Sequence, residues 1–453
     1  MLARGDMLST TLTALITLII AIMIRRTTSL AFSASKTNDR IKVAILGSGM
    51  SGCSAAATLL DSSSSKFDIS VYEGGRGVGG RMSTRRIQDE SGNLLYQFDH
   101  GCQYISSPKT ECFRKELDKW NERGWIQPWK GTFATISAAS TSSSSSSSSD
   151  VQLSVEQPSD GKERYVGYPT MNTICENLLY ETKSEQSTIN VVTGKQARAV
   201  AMHSKEETGQ PPWQLYHKDE LLGSYDWLVV TDRNSAQELR SDLTDANVTE
   251  FKNKVNEHIE SIKSLTTMIA FEKPLPLPFD GLLFDHNSDP VLMREEFKSL
   301  GWAARDSSKP GRNRNNDSPE CWVIQSNPEE AVRLLELDEL QGATLPQIRE
   351  KIRKQMVNDF INCIPTLMGK SGQEDSKEMN TPKIVDSMGH RWGAAFPSFI
   401  KQESFKEMES QALPEKQFVA CGDYFGTYAG RVEGAFLSGH AAANEVLKHV
   451  GDK

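Results

Sequence analysis

The chain has 453 residues, of which 38% are hydrophobic and 24% are charged, and its net charge is −8. This length allows two domains with cores of their own. The acidic balance without a basic stripe argues against nucleic acid as a partner. Seven scattered cysteines without a Cys-x-x-Cys pair argue against a disulfide framework or a zinc site, so no metal is expected.

The N-terminal segment is strongly apolar. Leu8 to Ile24 contain only Thr and Ser as polar members, and Arg25-Arg26 follow. This pattern is typical of a signal-peptide core, of an uncleaved anchor, or of the first part of an organelle address; a buried core helix is the alternative. Residues 1–38 are predicted to be a targeting or anchor segment that contacts a membrane through residues 8–24. The destination, whether secretory pathway, plastid or another organelle, stays open.

Residues 43–52 form the most informative motif. A β-branched apolar run ends at Gly47, and a Gly-x-Gly-x-x-Gly turn leads into an Ala-rich segment. Strand, glycine turn and helix in this order are typical of a dinucleotide pyrophosphate site. Gly47 permits the tight turn, Gly49 lets the backbone approach the phosphates, and Gly52 allows close packing of helix on strand. Met50 and Ser51, between these glycines, are assigned to the same site.

An acidic residue completes this first unit. A second apolar run, Phe67 to Tyr72, ends in Glu73, about 20 residues after the glycine turn. A carboxylate at the end of the second strand accepts hydrogen bonds from the ribose hydroxyls and disfavours a 2′-phosphate. Glu73 is therefore predicted to bind the adenosine ribose.

A second glycine-rich segment, residues 74–84, indicates which dinucleotide is bound. It contains Gly80, Arg81 and Met82. A unit that binds only a nicotinamide dinucleotide has no need of such a loop after its acidic strand end. The longer FAD does, because glycines permit close backbone approach and arginine supplies a fixed positive charge. The segment favours FAD over NAD.

The C-terminal region contains a further strand and helix. An apolar strand from Gln417 to Cys421 ends at Gly422-Asp423, and Asp423 there can hydrogen-bond a ribityl hydroxyl. Arg431 to Leu447 are predicted to be a helix whose N-terminus points at the flavin pyrimidine edge, where the reduced ring carries negative charge. Residues at that N-terminus are assigned to the cofactor: Arg431, Val432, Glu433 and Ala435.

These motifs resemble those of the renalase-like FAD-dependent amine oxidase family. The resemblance rests on residues 79–84 (GGRMST), 98–104 (FDHGCQY), 419–423 (VACGD) and 430–439 (GRVEGAFLSG). It implies an α/β fold with a Rossmann-type, glutathione-reductase-like FAD-binding domain and a discontinuous α+β substrate domain. It also implies that backbone near Ala197 contacts the adenine.

The predicted domains follow from that resemblance and from breaks in the pattern. The FAD-binding domain is assigned to residues 39–105, 186–235 and 412–453, and the substrate domain to 106–185 and 236–411. Residues 137–150 are a serine-rich tract that cannot bury a core and are expected to be a surface loop.

Finer expectations concern individual elements. Asn172 is expected to cap a helix that reaches Tyr180, and four segments between residues 189 and 230 are expected to form one strand meander. Residues 309–317 are expected to be a polar loop. Four aromatic residues are candidates for an apolar roof over the site: Trp302, Trp322, Trp392 and Phe396.

The chemistry predicted from the resemblance comes from the flavin, since no Ser-His-Asp pattern, Walker loop or metal-ligand spacing is found. A hydride would pass from an amine, or from a dihydronicotinamide such as a form of NAD(P)H, to flavin N5. Molecular oxygen or another acceptor would reoxidise the flavin. Gln103, Tyr104 and Trp392 are the candidates for positioning the small-molecule substrate; no catalytic acid or base is assigned, and His390 is interpreted as structural.

Two other classes stay open. One is a flavin-dependent desaturase or isomerase that acts on a lipid or isoprenoid, which would need a longer apolar tunnel. The other is a non-catalytic protein that retains a dinucleotide as a structural ligand. A dehydrogenase that uses only a nicotinamide cofactor would leave the second glycine loop and Gly422-Asp423 unexplained.

Overall fold

A computed structural model describes the chain over residues 40–63, 66–138, 151–156, 161–181, 189–201, 211–233, 249–286, 297–312, 318–337, 340–368, 381–399 and 403–451. The apolar segment Leu8–Ile24 and most of the serine tract lie outside these residues. No helix in the described ranges is long and apolar enough to cross a bilayer.

The strands in chain order are β1 (Ile41–Leu46), β2 (Phe67–Glu73), β3 (Thr84–Gln88), β4 (Leu94–Asp99), β5 (Ile105–Ser106), β6 (Ile126–Pro128), β7 (Phe133–Ala138), β8 (Val151–Val155), β9 (Arg164–Gly167), β10 (Ile189–Thr193), β11 (Arg198–Ala201), β12 (Trp213–His217), β13 (Glu220–Tyr225), β14 (Trp227–Val230), β15 (Ile259–Phe271), β16 (Gly281–Phe284), β17 (Leu300–Arg305), β18 (Glu320–Ser326), β19 (Ile384–Phe399), β20 (Gln411–Leu413) and β21 (Phe418–Ala420). The helices are α1 (Met50–Ser63), α2 (Glu111–Glu122), α3 (Met171–Tyr180), α4 (Thr249–His258), α5 (Pro328–Leu335), α6 (Leu345–Leu367), α7 (Glu403–Lys406) and α8 (Val432–Gly451).

A six-stranded sheet in the order β10-β2-β1-β14-β21-β20 carries the glycine turn. β14 pairs in parallel with both β1 and β21, β10 pairs in parallel with β2, and β20 at the edge is antiparallel to β21. β1 is an apolar run because it lies inside this sheet, where Val43 to Leu46 are buried. Helices α1 and α8 pack closely, since a Cβ at Gly439 would lie only 2.0 Å from the carbonyl oxygen of Ser51.

The predicted single meander between residues 189 and 230 is wrong. Only β11, β12 and β13 form a three-stranded antiparallel sheet. β10 instead pairs in parallel with β2, and β14 pairs with β1. Both are short apolar strands, and their composition alone does not distinguish a meander strand from a strand of the parallel sheet.

A seven-stranded sheet in the order β19-β15-β18-β17-β16-β7-β8 forms the other large layer. Helices α5 and α6 cover one face through an apolar cluster that includes Leu265, Trp322 and Phe360. On the opposite face, Phe98 packs against Met268 and Val323. That second face is the one turned toward the segment after β4.

Two local predictions are corrected. Helix α3 begins after Thr170, so Asn172 lies inside its first turn and is not the cap; its side chain instead bonds Glu176 and Arg86. Trp322 is core, fully buried and packed on Phe360 with ring centroids 5.3 Å apart.

The polar loop predicted at residues 309–317 is described over residues 309–312, which lie in neither a helix nor a strand, as predicted. Lys309 and Arg312 are buried beside two carboxylates, Asp99 at the end of β4 and Asp306 after β17. These four residues are called the buried ion cluster below. Charged residues are rarely buried unless they are paired, and here each cation pairs with both carboxylates.

The serine tract joins two paired strands. β7 and β8 are antiparallel, and Ala138 lies opposite Val151. The strands on either side of the tract therefore end and begin at neighbouring positions of the sheet.

Candidate cofactor and donor site

A cavity of about 1140 Å³ lies between the glycine turn and the seven-stranded sheet. It is larger than the ~300–1,000 Å³ usual for a single small-molecule site. Its lining comes from the turn after β1, the end of β2, residues 79–82, residues 101–106, β19 and residues 423–435. It therefore offers room for an extended ligand and a second small molecule.

The glycine turn has the geometry that a pyrophosphate requires. Gly47 has φ of +104°, a conformation that glycine adopts without strain. A Cβ at Gly52 would lie 2.0 Å from the carbonyl oxygen of Gly47, whereas a Cβ at Gly49 would meet nothing within 4 Å. Gly52 thus serves close packing and does not line the cavity, while Gly49 leaves backbone open to a ligand.

Glu73 lies at the rim of the cavity at the end of β2. Its Oε2 accepts hydrogen bonds from the backbone N–H of Ser48 at 3.0 Å and from the Ser48 hydroxyl at 2.7 Å, and its Oε1 accepts one from Gly75 N–H at 2.7 Å. These bonds tie the carboxylate to both glycine segments. The fixed carboxylate is placed to accept further bonds from a ribose.

An ion pair joins the second glycine segment to the C-terminal strand. Arg81 donates to both oxygens of Asp423, at 2.5 Å and 2.7 Å, and to the carbonyl of Ala395 at 2.9 Å. Burial alone would lower the pKa of Arg81, but the Asp423 carboxylate outweighs it and the pKa is raised. Sequence reasoning identified both residues and missed their pairing, since 342 positions separate them.

The N-terminus of α8 faces the cavity. Val432 and Ala435 line it, and N–H groups in a first helical turn have no intrahelical partner and favour negative charge. Glu433 also lines the cavity, but its carboxylate is engaged with the protein, because it accepts from Lys109 N–H, Thr110 N–H and the Thr110 hydroxyl. Arg431 lines the cavity and donates to the Ser106 hydroxyl at 2.5 Å.

Tyr424 is a lining residue that sequence reasoning missed. Its side chain is 1% exposed, and its hydroxyl has no hydrogen-bond partner among the described residues. Leaving a buried hydroxyl unpaired costs about 1–3 kcal/mol, and the hydroxyl itself has no surface open to the cavity. The open Gly49 and the fixed Glu73 fit a dinucleotide.

The donor end of the cavity is aromatic. Tyr104 packs against Trp302 with ring centroids 5.6 Å apart, and the Arg164 guanidinium lies 5.1 Å from the Tyr104 ring centroid. Trp392 stacks on His100 at 5.3 Å and contacts His390 at 4.4 Å. Tyr104, Trp302, His390 and Trp392 all line the cavity, so its donor end presents aromatic surface that suits a flat or apolar group.

Gln103 supports the loop beneath these rings. Its Nε2 donates to the carbonyls of Asp99 and Gly101, and its Oε1 accepts from the Lys309 ammonium at 3.4 Å. Its amide is therefore engaged with protein groups on both sides, although the residue lines the cavity.

Both histidines at this end are held neutral. Burial lowers the pKa of His100 to about 4, and burial followed by the nearby His100 lowers the pKa of His390 to about 3. Burial also raises the pKa of the lining thiol Cys102 to about 12. Near neutral pH these groups contribute dipoles and shape rather than charge.

The structure brings most of the predicted site residues to one cavity. Those that line it are Gly47, Gly49, Met50, Ser51, Glu73, Gly80, Arg81, Met82, Gln103, Tyr104, Ala197, Trp392, Asp423, Arg431, Val432, Glu433 and Ala435. Gly52 and Gly422 lie behind this lining. Of the four predicted roof residues, Trp302, Trp392 and Phe396 also line the cavity.

Comparisons with known proteins agree with this architecture. Residues 45–120 match the family described as NAD(P)-binding Rossmann-like domain. The probable polyamine oxidase 5 of Arabidopsis thaliana is 30% identical over 93 residues, 18% of this chain. The chain spans only 17% of that relative's length.

Similar solved structures cover nearly the whole chain. Cyclohexylamine oxidase from Brevibacterium oxydans IH-35A has a TM-score of 0.58 at 10% identity, over 91% of this chain and 100% of that one. Putrescine oxidase has a TM-score of 0.55 at 11% identity, over 90% and 99%. An oxidoreductase from Methanosarcina mazei has a TM-score of 0.54 at 10% identity, over 90% and 100%.

At these identities the structural likeness establishes the fold. The chain has an N-terminal Rossmann-like domain and the overall fold of amine oxidases, which confirms the predicted fold class and the predicted resemblance at that level. Activity has to be argued from the site, because one fold supports many functions.

Proposed function

We propose that this protein is an FAD-dependent oxidoreductase of the amine oxidase type that oxidises a small, nitrogen-containing donor. The observation that carries the proposal is the continuity of one cavity, which joins a dinucleotide turn bounded by Gly49 and Glu73 to an aromatic chamber bounded by Tyr104 and Trp392. Its relatives and structural neighbours named as polyamine, cyclohexylamine and putrescine oxidases support it.

Bound FAD would supply the electron-accepting chemistry, taking a hydride from the donor. The chain supplies binding and orientation. Glu73 holds the ribose end, and the Arg81–Asp423 pair fixes the middle of the cavity. The N-terminus of α8 favours negative charge nearby. Tyr104, Trp302 and Trp392 hold the donor and exclude water.

A narrower assignment rests on the sequence motifs. We propose that the enzyme is renalase-like, that the donor is an amine or a dihydronicotinamide-type ring, and that molecular oxygen or another acceptor reoxidises the flavin. The motifs GGRMST, FDHGCQY and GRVEGAFLSG support this subfamily.

The decisive experiment is an absorption spectrum of the purified protein before and after denaturation, followed by anaerobic addition of donors. Flavin bands that bleach with an amine or a dihydropyridine support the proposal. A protein that retains flavin but is not bleached by any donor class would instead be a dinucleotide-binding protein. A colourless protein that takes up no added FAD would refute the proposal.

We also propose that residues 1–38 direct the protein to a membrane-bounded compartment. The apolar run from Leu8 to Ile24 followed by two arginines supports this. Removing residues 1–36 should move a fluorescently tagged protein from a membrane or organelle fraction to the supernatant. An unchanged distribution would refute it.

A further inference from the structure

One row of side chains crosses four strands at the donor end. Trp302 on β17 lies opposite Gln325 on β18, Gln325 lies opposite Thr266 on β15, and Thr266 lies opposite His390 on β19. Directly opposed residues on neighbouring strands share a face of the sheet. Trp302, Gln325 and His390 line the cavity, so this face is the cavity's wall. The four residues are called the cross-strand row.

The amide of Gln325 is held in one orientation. Its Nε2 donates a hydrogen bond of 2.6 Å to the carbonyl oxygen of Gly101. The reverse orientation would place two oxygens together, because a carbonyl cannot donate. The Oε1 atom of Gln325 is therefore the end of the amide left for the cavity, as a neutral hydrogen-bond acceptor.

The rest of the row is polar but uncharged. Thr266 Oγ1 and Trp302 Nε1 are buried, and neither has a hydrogen-bond partner in the part of the chain that the structure describes. His390 is neutral near pH 7, because burial followed by His100 lowers its pKa to about 3. The row therefore presents no charge to the cavity, and an isolated cation placed against it would lose its hydration without gaining a counter-charge from the row.

We propose that Gln325 determines donor specificity, with its Oε1 accepting a hydrogen bond from an N–H of an uncharged, planar donor. This inference rests on the proposed function and deepens it. The rings of Tyr104, Trp302, His390 and Trp392, which line the donor end of the cavity, supply the stacking surfaces, and Gln325 supplies the polar contact that orients the ring. Gln325 belongs to none of the sequence motifs and is located only by the strand register.

The test uses non-reacting probes on the FAD-loaded protein, with binding followed by perturbation of the flavin spectrum. Benzamide presents an N–H on a neutral ring, N,N-dimethylbenzamide lacks that N–H, and benzamidine has the same shape with a positive charge. We expect benzamide to bind about tenfold more tightly than either of the others, as for one hydrogen bond in a desolvated site.

Two variants test the role of Oε1. Gln325→Met removes Oε1, and the ratio of dissociation constants for dimethylbenzamide and benzamide should fall to near one. Gln127→Met is the matched control, because Gln127 is also a strand glutamine but does not line the cavity. It should keep the tenfold ratio.

The outcomes are distinguishable. A wild-type protein that binds benzamidine as tightly as benzamide refutes the inference without any variant, and so does a ratio that Gln325→Met leaves unchanged. FAD content is measured separately: a protein that never takes up FAD refutes the proposed function, whereas a flavin-loaded protein without this discrimination refutes only the role of Gln325.

Discussion

Replacing Lys309 by Met should strongly destabilise the protein. The Lys309 ammonium lies 2.9 Å from Asp306 Oδ1 and 3.2 Å from Asp99 Oδ2. Arg312 bonds both carboxylates as well. The Lys309, Asp99 and Asp306 side chains have no exposed surface. Methionine fills a similar volume but leaves two carboxylates to share one guanidinium.

The magnitude follows from burial. Removing one partner of a buried ion pair costs about 3–5 kcal/mol, because the remaining charge is left uncompensated. An exposed pair such as Lys119–Glu116, at 3.0 Å with Lys119 60% exposed, contributes only about 0.2–1 kcal/mol. The free energy of unfolding of a whole protein is typically about 5–15 kcal/mol. Lys309→Met should therefore remove a large part of this free energy.

The assay is urea unfolding of FAD-saturated protein, followed by circular dichroism, with Lys119→Met as the matched control. The midpoint should fall far more for Lys309→Met than for the control. Adding Asp306→Asn to Lys309→Met should recover part of the loss, because it removes the unpaired charge. Equal midpoints for the two single variants would refute the cluster's role, and so would a double variant less stable than Lys309→Met.

The same cluster predicts a pH dependence. Burial alone would raise the pKa of Asp306, but Arg312 and Lys309 outweigh it and hold this pKa at about 2. The pKa of Asp306 in the folded protein thus lies below the value of about 3.9 expected in the unfolded chain. The stability that ionised Asp306 contributes is therefore fully present above about pH 3.9 and is lost as the pH falls toward 2. The stability gap between wild type and Lys309→Met should therefore narrow over this window. A constant gap would contradict the assignment.

Four further predictions concern the cavity and its surroundings. Glu73→Gln should fold normally but weaken FAD about tenfold or more by titration, because one ribose acceptor is lost; unchanged affinity would argue against the ribose role. Gly49→Ala should remain folded with poor FAD binding, whereas Gly52→Ala should fail to fold, since its Cβ would overlap a carbonyl; equal solubility and loading would contradict the turn geometry. His390→Asn should leave the pH–rate profile between pH 5 and 8 unchanged in shape, because the His390 imidazole is neutral there; loss of an ionisation in that range would show otherwise. Deleting residues 142–149 should leave the thermal midpoint within a degree or two, because the flanking strands pair beside the tract, and a large drop would show that the tract is structural.

The dinucleotide end could be predicted because its geometry is local. A tight turn, a close helix and a terminal carboxylate all lie within one strand-helix-strand unit, and each requirement is visible as a residue type at a fixed spacing. The positions of Gly47, Gly52 and Glu73 in the structure follow from that spacing. Tyr424 escaped prediction, because nothing in its neighbours indicates that its hydroxyl lacks a partner.

The donor end could not be predicted in the same way, because its residues meet through register. Trp302, Gln325, Thr266 and His390 become neighbours only when four strands pair with one alignment. A shift of one residue in any strand would turn its side chain to the opposite face. The buried ion cluster is likewise assembled from two segments far apart in the sequence, Asp99 at the end of β4 and residues 306–312. Cofactor binding through the backbone is thus recognisable from short motifs, whereas the residues at the donor end are brought together by long-range strand pairing. For this reason the sequence indicates FAD but leaves the substrate open.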